Sequence, residues 1–203
     1  MNKEKRFFTV VIGTVIAAYG ICLAINAGFG GATLAVLWEG VHLVTHMTIG
    51  QASFVIAFLM VAFCWFYDRK QVSWGTVIFQ LIYSPCIDLF SGMVFYTDSV
   101  IFNAVLMVLG IVILSFGSAL YSFADFGRGS YEAITLAFVH RKGWKTGYVR
   151  IVIDILCVVF GALLGGKFGL CTIATILISG PLLQFFLNMF GKINNKIHFL
   201  DVE

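Results

Sequence analysis

Long apolar segments alternate with short polar breaks along the whole chain. Six segments approach the length of about 20 apolar residues that one membrane-spanning helix needs. They lie at about 7–27, 50–67, 74–95, 101–124, 147–164 and 169–190. Two shorter segments, at about 32–46 and 130–140, carry acidic residues and are too short to span comfortably. The pattern predicts an all-α polytopic membrane protein with about six transmembrane helices and two short re-entrant or broken helices, in one membrane domain over residues 1–203.

The composition agrees with a membrane location. The chain is 60% hydrophobic and 11% charged, with a mean hydropathy of +0.97, whereas soluble domains carry about 25% charged residues. The net charge of +3 is spread over short loops, which does not favour a nucleic-acid partner. The cysteines all lie in apolar segments and form no C-x-x-C pair, as expected for buried thiols. We expect the lipid bilayer and a small molecule as partners, with no cofactor and no metal.

The N-terminal sequence resembles an uncleaved first helix. A charged start, MNKEKRFF, precedes an apolar stretch that runs to Ala27. This stretch is longer than the core of a signal peptide, about 7–15 residues, and no small-x-small cleavage site follows it. We therefore expect it to remain as the first transmembrane helix.

The two halves of the chain align at an offset of 97 residues. Apolar residues match easily by chance, so the informative matches are glycines and prolines. The glycine matches are Gly13 with Gly110, Gly20 with Gly117, Gly30 with Gly127 and Gly50 with Gly147. After a deletion of one residue, Pro85 aligns with Pro181, and the chain has only these 2 prolines. The alignment predicts a duplication, with repeat one at 7–96 and repeat two at 100–190.

In each repeat, a glycine-rich break separates the first long helix from the short segment. Gly30, Gly127 and Gly129 are the predicted hinge positions of these breaks, and Pro85 and Pro181 are candidate breaks further along. Irregular backbone at membrane depth is tolerated only where protein or a water-filled cavity surrounds it. A break followed by a half-helix is therefore a candidate binding element, since the half-helix ends present unpaired backbone groups to a solute.

The distribution of Lys and Arg distinguishes two topologies. If the short segments re-enter without crossing, each repeat has three spans and the second repeat is inserted in the opposite sense. With the N-terminus inside, every Lys and Arg except Lys167 then faces the cytoplasm. If the short segments cross, Arg69, Lys70 and Arg128 also move outside. The positive-inside rule favours the first arrangement, two inverted three-span repeats with both termini cytoplasmic.

Several ionisable residues lie within apolar segments, where charges are costly and often functional. Arg150 and Asp154 stand four apart on one helical face, so they can form an ion pair that either orients the helix or binds a substrate or coupling ion. Glu132 opens the second short segment close to Arg128, where a carboxylate can stabilise the helix start or serve a site. The equivalent residue in repeat one is Ala35, so this acid is not duplicated.

Asp88 follows Pro85, and its repeat partner Gln184 follows Pro181. The pair suggests either a shared cavity wall or, for Asp88, a carboxylate at a helix end.

Glu39, His42 and His46 follow a three-then-four spacing that places them on one helical face. This face is open to three interpretations: a metal site, a polar stripe along an outward vestibule that acts as a proton relay, or a solvated interfacial face. The small residues Gly13, Ala17, Gly20 and Ala24, at helical spacing, predict close helix packing.

Three runs in the second half resemble the YczE/YyaS/YitT family of bacterial membrane proteins: ALYSFADFGRGSYEAITLAF, RKGWKTGYVRIVID and LLGGKFGLCTIATILISGPLLQFF. The positions that match the family's motifs are Asp125-Phe126-Gly127, Gly129, Glu132, Arg150, Asp154, Gly180-Pro181 and Gln184. Ser130-Tyr131 departs from the usual proline region, and Ala35 stands where the family tends to place an acid. The resemblance implies a multi-pass protein of the bacterial plasma membrane and an exporter activity in some members. It supplies no substrate.

These observations lead to the hypothesis of a secondary transporter or exporter of a small organic solute, coupled to protons and without enzymatic activity. Glu132, Arg128, Arg150 and Asp154 are expected to line the inner side of its site. Asp88, Glu39, His42 and Gln184 complete the predicted pathway. The main alternative is a substrate-binding or accessory membrane subunit that acts with a larger partner. A second copy of the chain is a further candidate partner, and a membrane enzyme is a third reading.

Overall fold

The computed structural model describes residues 3–93, 97–124, 126 and 129–200, with side chains described as far as residue 192. Its α-helices are α1 (Lys3–Asn26), α2 (Thr33–Thr45), α3 (Ile49–Tyr67), α4 (Trp74–Ser91), α5 (Val100–Phe123), α6 (Ser130–Lys142), α7 (Thr146–Leu163) and α8 (Leu170–Leu200). A short 3-10 turn, Arg69–Gln71, joins α3 to α4. No strand occurs within these residues, so the prediction of an all-α fold is confirmed.

The helices suit a membrane environment. Within the described residues, five are long and apolar enough to cross a bilayer, namely α1, α3, α5, α7 and the part of α8 up to Lys192. Large apolar side chains such as Phe58, Phe66 and Ile101 are exposed on the outer faces. The protein is therefore a polytopic membrane protein. The predicted sixth span corresponds to α4, which has 18 residues but also carries Gln80 and Asp88.

α1 and α5 pack closely and run antiparallel. Gly13 lies against Gly117, and Gly20 lies against Gly110 and Leu114. A Cβ atom at Gly20 would stand 2.3 Å from the backbone nitrogen of Leu114, so no side chain fits there without moving the helices apart. The predicted close packing along this stripe of small residues is confirmed.

α3 and α4 also run antiparallel. The Ser53 hydroxyl, near the beginning of α3, lies 3.0 Å from the Ser84 hydroxyl in the second half of α4. At its end, the Thr48 hydroxyl donates a 2.6 Å hydrogen bond to Asp88. The beginning of α3 therefore lies beside the end of α4.

α4 runs parallel to α1. Near their ends, the rings of Tyr19 and Phe90 are 5.4 Å apart. Near their beginnings, Phe7 and Ser73 both contact Phe126. α1 and α4 therefore run in one direction, and α3 and α5 run in the opposite direction. The chain reverses once between α1 and α3, although the short helix α2 lies between them.

The first glycine break packs on the segment that precedes α8. The Gly31 N–H donates to the Lys167 carbonyl at 2.9 Å, and the Cys171 N–H donates to the Phe29 carbonyl at 3.0 Å. Gly30 has φ +86, and a Cβ atom there would stand 2.5 Å from the backbone nitrogen of Gly169. Glycine is required at this hinge for both reasons.

The second break contacts the segment that precedes α4. The Ser73 hydroxyl donates to the Phe126 carbonyl at 3.5 Å. Asp125 and the predicted hinge Gly127 lie outside the described residues, as does Arg128. Each break is thus in contact with the chain segment that leads into the last helix of the other half.

The two prolines do not end their helices. Pro85 lies inside α4 and Pro181 lies inside α8, and both helices continue through them. Both prolines are exposed on the outside of the bundle. The predicted breaks at these positions therefore leave the helices continuous.

Candidate functional site

A cavity of about 140 Å³ lies in the middle of the bundle, and all eight helices contribute to its lining. Many of its lining residues occupy equivalent positions in the aligned halves. At the offset of 97 these are Ala17 with Leu114, Ile21 with Ser118, Ala32 with Gly129, Thr33 with Ser130, Leu34 with Tyr131, Ser53 with Arg150, and Ala57 with Asp154. Beyond the one-residue deletion, Phe79 with Thr175 and Tyr83 with Ser179 continue the series. The two halves therefore build the cavity from corresponding positions.

Both short helices begin at this cavity. Ala32 precedes α2 and Gly129 precedes α6, and neither helix start has a hydrogen bond from its N-cap side chain. Thr33 and Ser130, the first residues of the two helices, also line the cavity. The first turn of an α-helix leaves backbone N–H groups unpaired and carries partial positive charge. The cavity thus receives two positively polarised helix ends.

Asp154 on α7 lies at the start of α2. Its carboxylate accepts hydrogen bonds from the Tyr131 hydroxyl, at 2.9 Å, and from the Thr33 side chain. Asp154 is only 9% exposed, so a carboxylate that was predicted from spacing alone is buried at the cavity.

Arg150 lies one turn before Asp154 on α7, and Tyr131 stands between them. The guanidinium carbon of Arg150 is 5.3 Å from the centroid of the Tyr131 ring. Asp154 and Glu132 both act on Arg150 electrostatically, but the contacts of the described side chains include no direct ion pair between Arg150 and Asp154. Tyr131 therefore lies between the two residues of the expected pair, with its ring beside Arg150 and its hydroxyl bonded to Asp154.

Glu132 faces the cavity from the first turn of α6. It accepts a hydrogen bond from the Tyr121 hydroxyl on α5. A Cβ atom at Gly129 would lie 2.4 Å from the Glu132 carboxylate and 2.9 Å from the Tyr121 hydroxyl. The glycine therefore makes room for the acid above the helix start. Glu132 both complements the helix end and lines the cavity, so the two interpretations of its role are compatible.

The opposite wall of the cavity is aromatic. The ring of Tyr83 stacks on Phe79 at 5.0 Å and meets Trp38 edge-on at 6.1 Å. Phe79 in turn lies 4.6 Å from Tyr121. Trp38 is 4% exposed, and its indole N–H has no hydrogen-bond partner among the described residues. Trp38, Phe79 and Tyr83 are the largest contributions of repeat one to the cavity.

Sequence reasoning did not identify these aromatic residues, nor Tyr131 as a site residue. On apolar helices, such residues look like ordinary core positions. The repeat alignment held no signal for the aromatic residues, because Trp38, Phe79 and Tyr83 align with Thr135, Thr175 and Ser179, which were not candidates. It could have identified Ser53 and Ala57, which align with the candidates Arg150 and Asp154.

Asp88 and Gln184 do not line the cavity. Asp88 accepts hydrogen bonds from the Thr48 hydroxyl at 2.6 Å and from the Gly50 N–H at 2.7 Å, at the beginning of α3. Gln184 bonds to Asn188, one turn later in α8. The helix-end interpretation thus describes Asp88, and the structure gives no support for a wall shared with Gln184.

The Glu39, His42 and His46 face also lies away from the cavity lining. Glu39 accepts a 2.9 Å hydrogen bond from the Lys167 N–H, and the His42 ring bonds to the Met47 carbonyl. His46 ends α2 in the left-handed conformation. Within the described residues, no group of three metal-binding side chains occurs. A role of this face in an outer route remains a prediction.

The junctions α3–α4 and α6–α7 meet at one end of the bundle. Asp68 and the His140 ring are 2.9 Å apart. A hydrogen bond from the Gln71 side chain lowers the pKa of Asp68, and the Lys70 N–H and His140 contribute in the same direction. This end also carries Arg141, 5.2 Å from the Tyr67 ring. Basic side chains from both halves are therefore gathered at the same end.

Comparison with known proteins places these features in a family. The family described as "Family of unknown function (DUF6198)" matches residues 4–188. The chain is 29% identical to the "Uncharacterized membrane protein YczE" of Bacillus subtilis, over 85% of this chain and 81% of the relative. It is 25% identical to an "Uncharacterized protein" of Haemophilus influenzae, over 94% and 87%. It is 24% identical to the "Uncharacterized protein YyaS" of Bacillus subtilis, over 94% of each chain. The resemblance predicted from the sequence motifs is thus confirmed, and no solved structure matches significantly.

Proposed function

We propose that this chain, which belongs to the family of unknown function DUF6198, is a secondary transporter that binds a small organic solute in the central cavity. The observation that carries the proposal is the construction of this cavity from equivalent positions of the two halves, with the starts of both short helices upon it. Many secondary transporters bind their substrate at the interface of two repeats, where discontinuous helices meet.

In this proposal the halves are inverted repeats in the plasma membrane. The antiparallel packing of α1 and α5 supports it, because these helices occupy equivalent positions in the alignment. An inverted pair requires an odd number of crossings per repeat. Three crossings follow if α2 and α6 enter the membrane without spanning it.

Topology reporters test this arrangement. A reporter fused after Arg69 is expected to be cytoplasmic, because α1 and α3 then cross once each. A reporter fused after Asp98 is expected outside. An outside reporter after Arg69 together with a cytoplasmic reporter after Asp98, the result expected if the short helices span the membrane, would contradict the three-crossing arrangement.

The proposed coupling ion is the proton, held by Asp154 or Glu132. Tyr131, Arg150 and Cys157 on α6 and α7 and Thr33 on α2 face Asp154. Glu132 is bonded to Tyr121 and is also faced by Tyr83 and Arg150. Each carboxylate accepts a hydrogen bond from a tyrosine hydroxyl and lines the cavity. Both are therefore within reach of a solute bound there.

The experiment uses the purified protein alone in proteoliposomes with a trapped pH-sensitive dye. Small amines, carboxylates, zwitterions and neutral solutes are added across an imposed pH gradient. One class is expected to move protons faster than in empty vesicles. In Asp154→Asn this excess is expected to fall at least about tenfold, which corresponds to 1.4 kcal/mol, while expression and elution stay unchanged.

Asp98→Asn is the matched control, because Asp98 is an exposed carboxylate between α4 and α5. It should retain the full excess. Equal proton movement in wild-type, Asp154→Asn and empty vesicles for every class would contradict the proposal. Movement that appears only when a second protein is added would favour the accessory subunit.

A further inference from the structure

The aromatic wall of the cavity leads directly to a carboxylate. Trp38, Tyr83 and Phe79 are in ring contact in that order, and Phe79 contacts Tyr121. The Tyr121 hydroxyl donates to Glu132. A ligand that lies along this series of rings therefore reaches negative charge at one end. Aromatic faces next to a carboxylate are the surroundings that an organic ammonium group prefers.

The charges of the described lining favour the same ligand. They comprise one guanidinium, Arg150, and two carboxylates, Glu132 and Asp154. Arg150 already faces both carboxylates and the Tyr131 ring. The starts of α2 and α6 add partial positive charge at Thr33 and Ser130. The preference for an ammonium group is therefore local to Glu132 and the rings beside it. The attraction is strengthened by the low dielectric of a buried site.

The other end of the aromatic series offers a hydrogen-bond donor. Trp38 is 4% exposed, and its indole N–H has no partner among the described residues. A buried donor without an acceptor is unfavourable, and indole can only donate. A ligand oxygen beside Trp38 would satisfy it.

The size of the cavity limits the ligand. The volume of about 140 Å³ is close to that of an engineered cavity of about 150 Å³ that binds benzene. The space therefore fits a single six-membered ring with a short substituent. Larger polycyclic compounds do not fit without a change in the helices.

We propose that the cavity takes a one-ring organic amine that places its ammonium group at Glu132 and an oxygen acceptor at Trp38. The inference rests on the proposed function, in that it takes the central cavity as the solute site. Tyramine has these groups at opposite ends of one ring and is the probe for the test. Phenethylamine lacks the oxygen, and 3-(4-hydroxyphenyl)propanoate replaces the ammonium group with a carboxylate.

Trp38 itself reports binding. The chain has 4 tryptophans, so the variant W65F/W74F/W144F leaves Trp38 as the single indole fluorophore. In detergent, tyramine is expected to change its emission with saturation. Phenethylamine should bind about five- to tenfold more weakly, the effect of one hydrogen bond, and the propanoate should produce no saturable change. Tighter binding of the propanoate than of tyramine, or the absence of any saturable change, would overturn the proposal.

Glu132→Gln in the same background should weaken tyramine binding at least about tenfold, which corresponds to 1.4 kcal/mol, and Asp98→Asn should leave it unchanged. The ligand comparison requires no change at Glu132, so it decides the proposal even if that variant fails to fold. Unaltered tyramine binding by a folded Glu132→Gln protein would contradict the assignment of the ammonium position.

The vesicle experiment separates this inference from the proposed function. If tyramine binds but moves no protons in proteoliposomes, the ligand class stands and transport is excluded for it. If only carboxylates drive proton movement, transport stands and the ligand class is wrong.

Discussion

The two walls of the cavity occupy equivalent positions in the aligned halves but differ in chemistry. Repeat two contributes Tyr131, Arg150 and Asp154 where repeat one has Leu34, Ser53 and Ala57. Repeat one instead supplies an aromatic surface. In the predicted duplication, the shared positions set where the cavity lies, and divergence of the two copies sets the chemistry of its lining. Equivalent positions that carry different side chains can surround an asymmetric solute.

The comparison presumes that close packing of α1 on α5 holds the two walls together. Gly20→Leu is expected to disrupt this helix contact and to abolish recovery of folded protein. The added side chain collides with the backbone of α5, and overpacking a close interface costs about 1–3 kcal/mol or more. The measurement is the fraction of monodisperse protein after detergent extraction. Gly180→Leu is the control, since no atom lies within 4 Å of a Cβ atom there. Equal recovery of the two variants would show that α1 and α5 are not closely packed.

The second prediction tests whether the carboxylate of Asp154 can be replaced by one at the equivalent position of repeat one. In Asp154→Asn/Ala57→Asp the carboxylate moves to the equivalent position of repeat one. We expect no rescue, with flux within about twofold of Asp154→Asn, because Thr33 and Tyr131 remain beside position 154 and one hydrogen bond to a charged group is worth about 1.5–3 kcal/mol. Proton movement in vesicles provides the measurement. Recovery of more than half the wild-type flux would show that symmetry alone fixes the coupling site.

The third prediction concerns the tyrosine that distinguishes the charged wall. Tyr131→Phe keeps the ring beside Arg150 but removes the 2.9 Å hydrogen bond to Asp154. Flux should fall about tenfold, in line with about 1.5 kcal/mol for a hydrogen bond to a charged group. The exposed Tyr148 on α7 receives the same substitution as the control. Equal flux in Tyr131→Phe and wild-type protein would mean that Asp154 does not depend on this donor.

The smallest effect is expected outside the cavity, at Asp68. Its pKa is lowered below the usual 3.8, so the ionised form stabilises the folded protein above that pH, and this stabilisation is lost as the pH falls through the lowered pKa. Asp68→Asn should therefore lower the unfolding temperature slightly at pH 7, and the difference from wild type should shrink below about pH 3.8. Thermal unfolding from pH 7 to 3, with Asp98→Asn alongside, measures it. A difference independent of pH would assign the effect to packing.

The sequence predicted the helices well because their signals are local. Glycine breaks and polar residues delimit α2 and α6, and both helices begin within one or two residues of the predicted segments. Glu132 and Asp154 line one cavity, and their roles in a solute pathway stay predictions. Contacts between distant segments were not accessible in the same way. Tyr131 intervenes between Arg150 and Asp154, and Asp88 binds the start of α3, because of how helices approach in three dimensions.

Aromatic side chains mark the main limit of the sequence reasoning. Trp38, Phe79 and Tyr83 lie on apolar helices, where a cavity wall and a lipid-facing surface have the same hydropathy. Only the depth of burial distinguishes Trp38 from the exposed Trp74, and burial depends on the neighbouring helices.

The hydrogen bond from the Cys171 N–H to the Phe29 carbonyl has a consequence for biosynthesis. The first break can acquire its partner only after the ribosome has made the beginning of α8. The Gly31 N–H likewise finds its acceptor only at Lys167. The first hinge therefore reaches its final hydrogen bonding only after most of the chain has been synthesised.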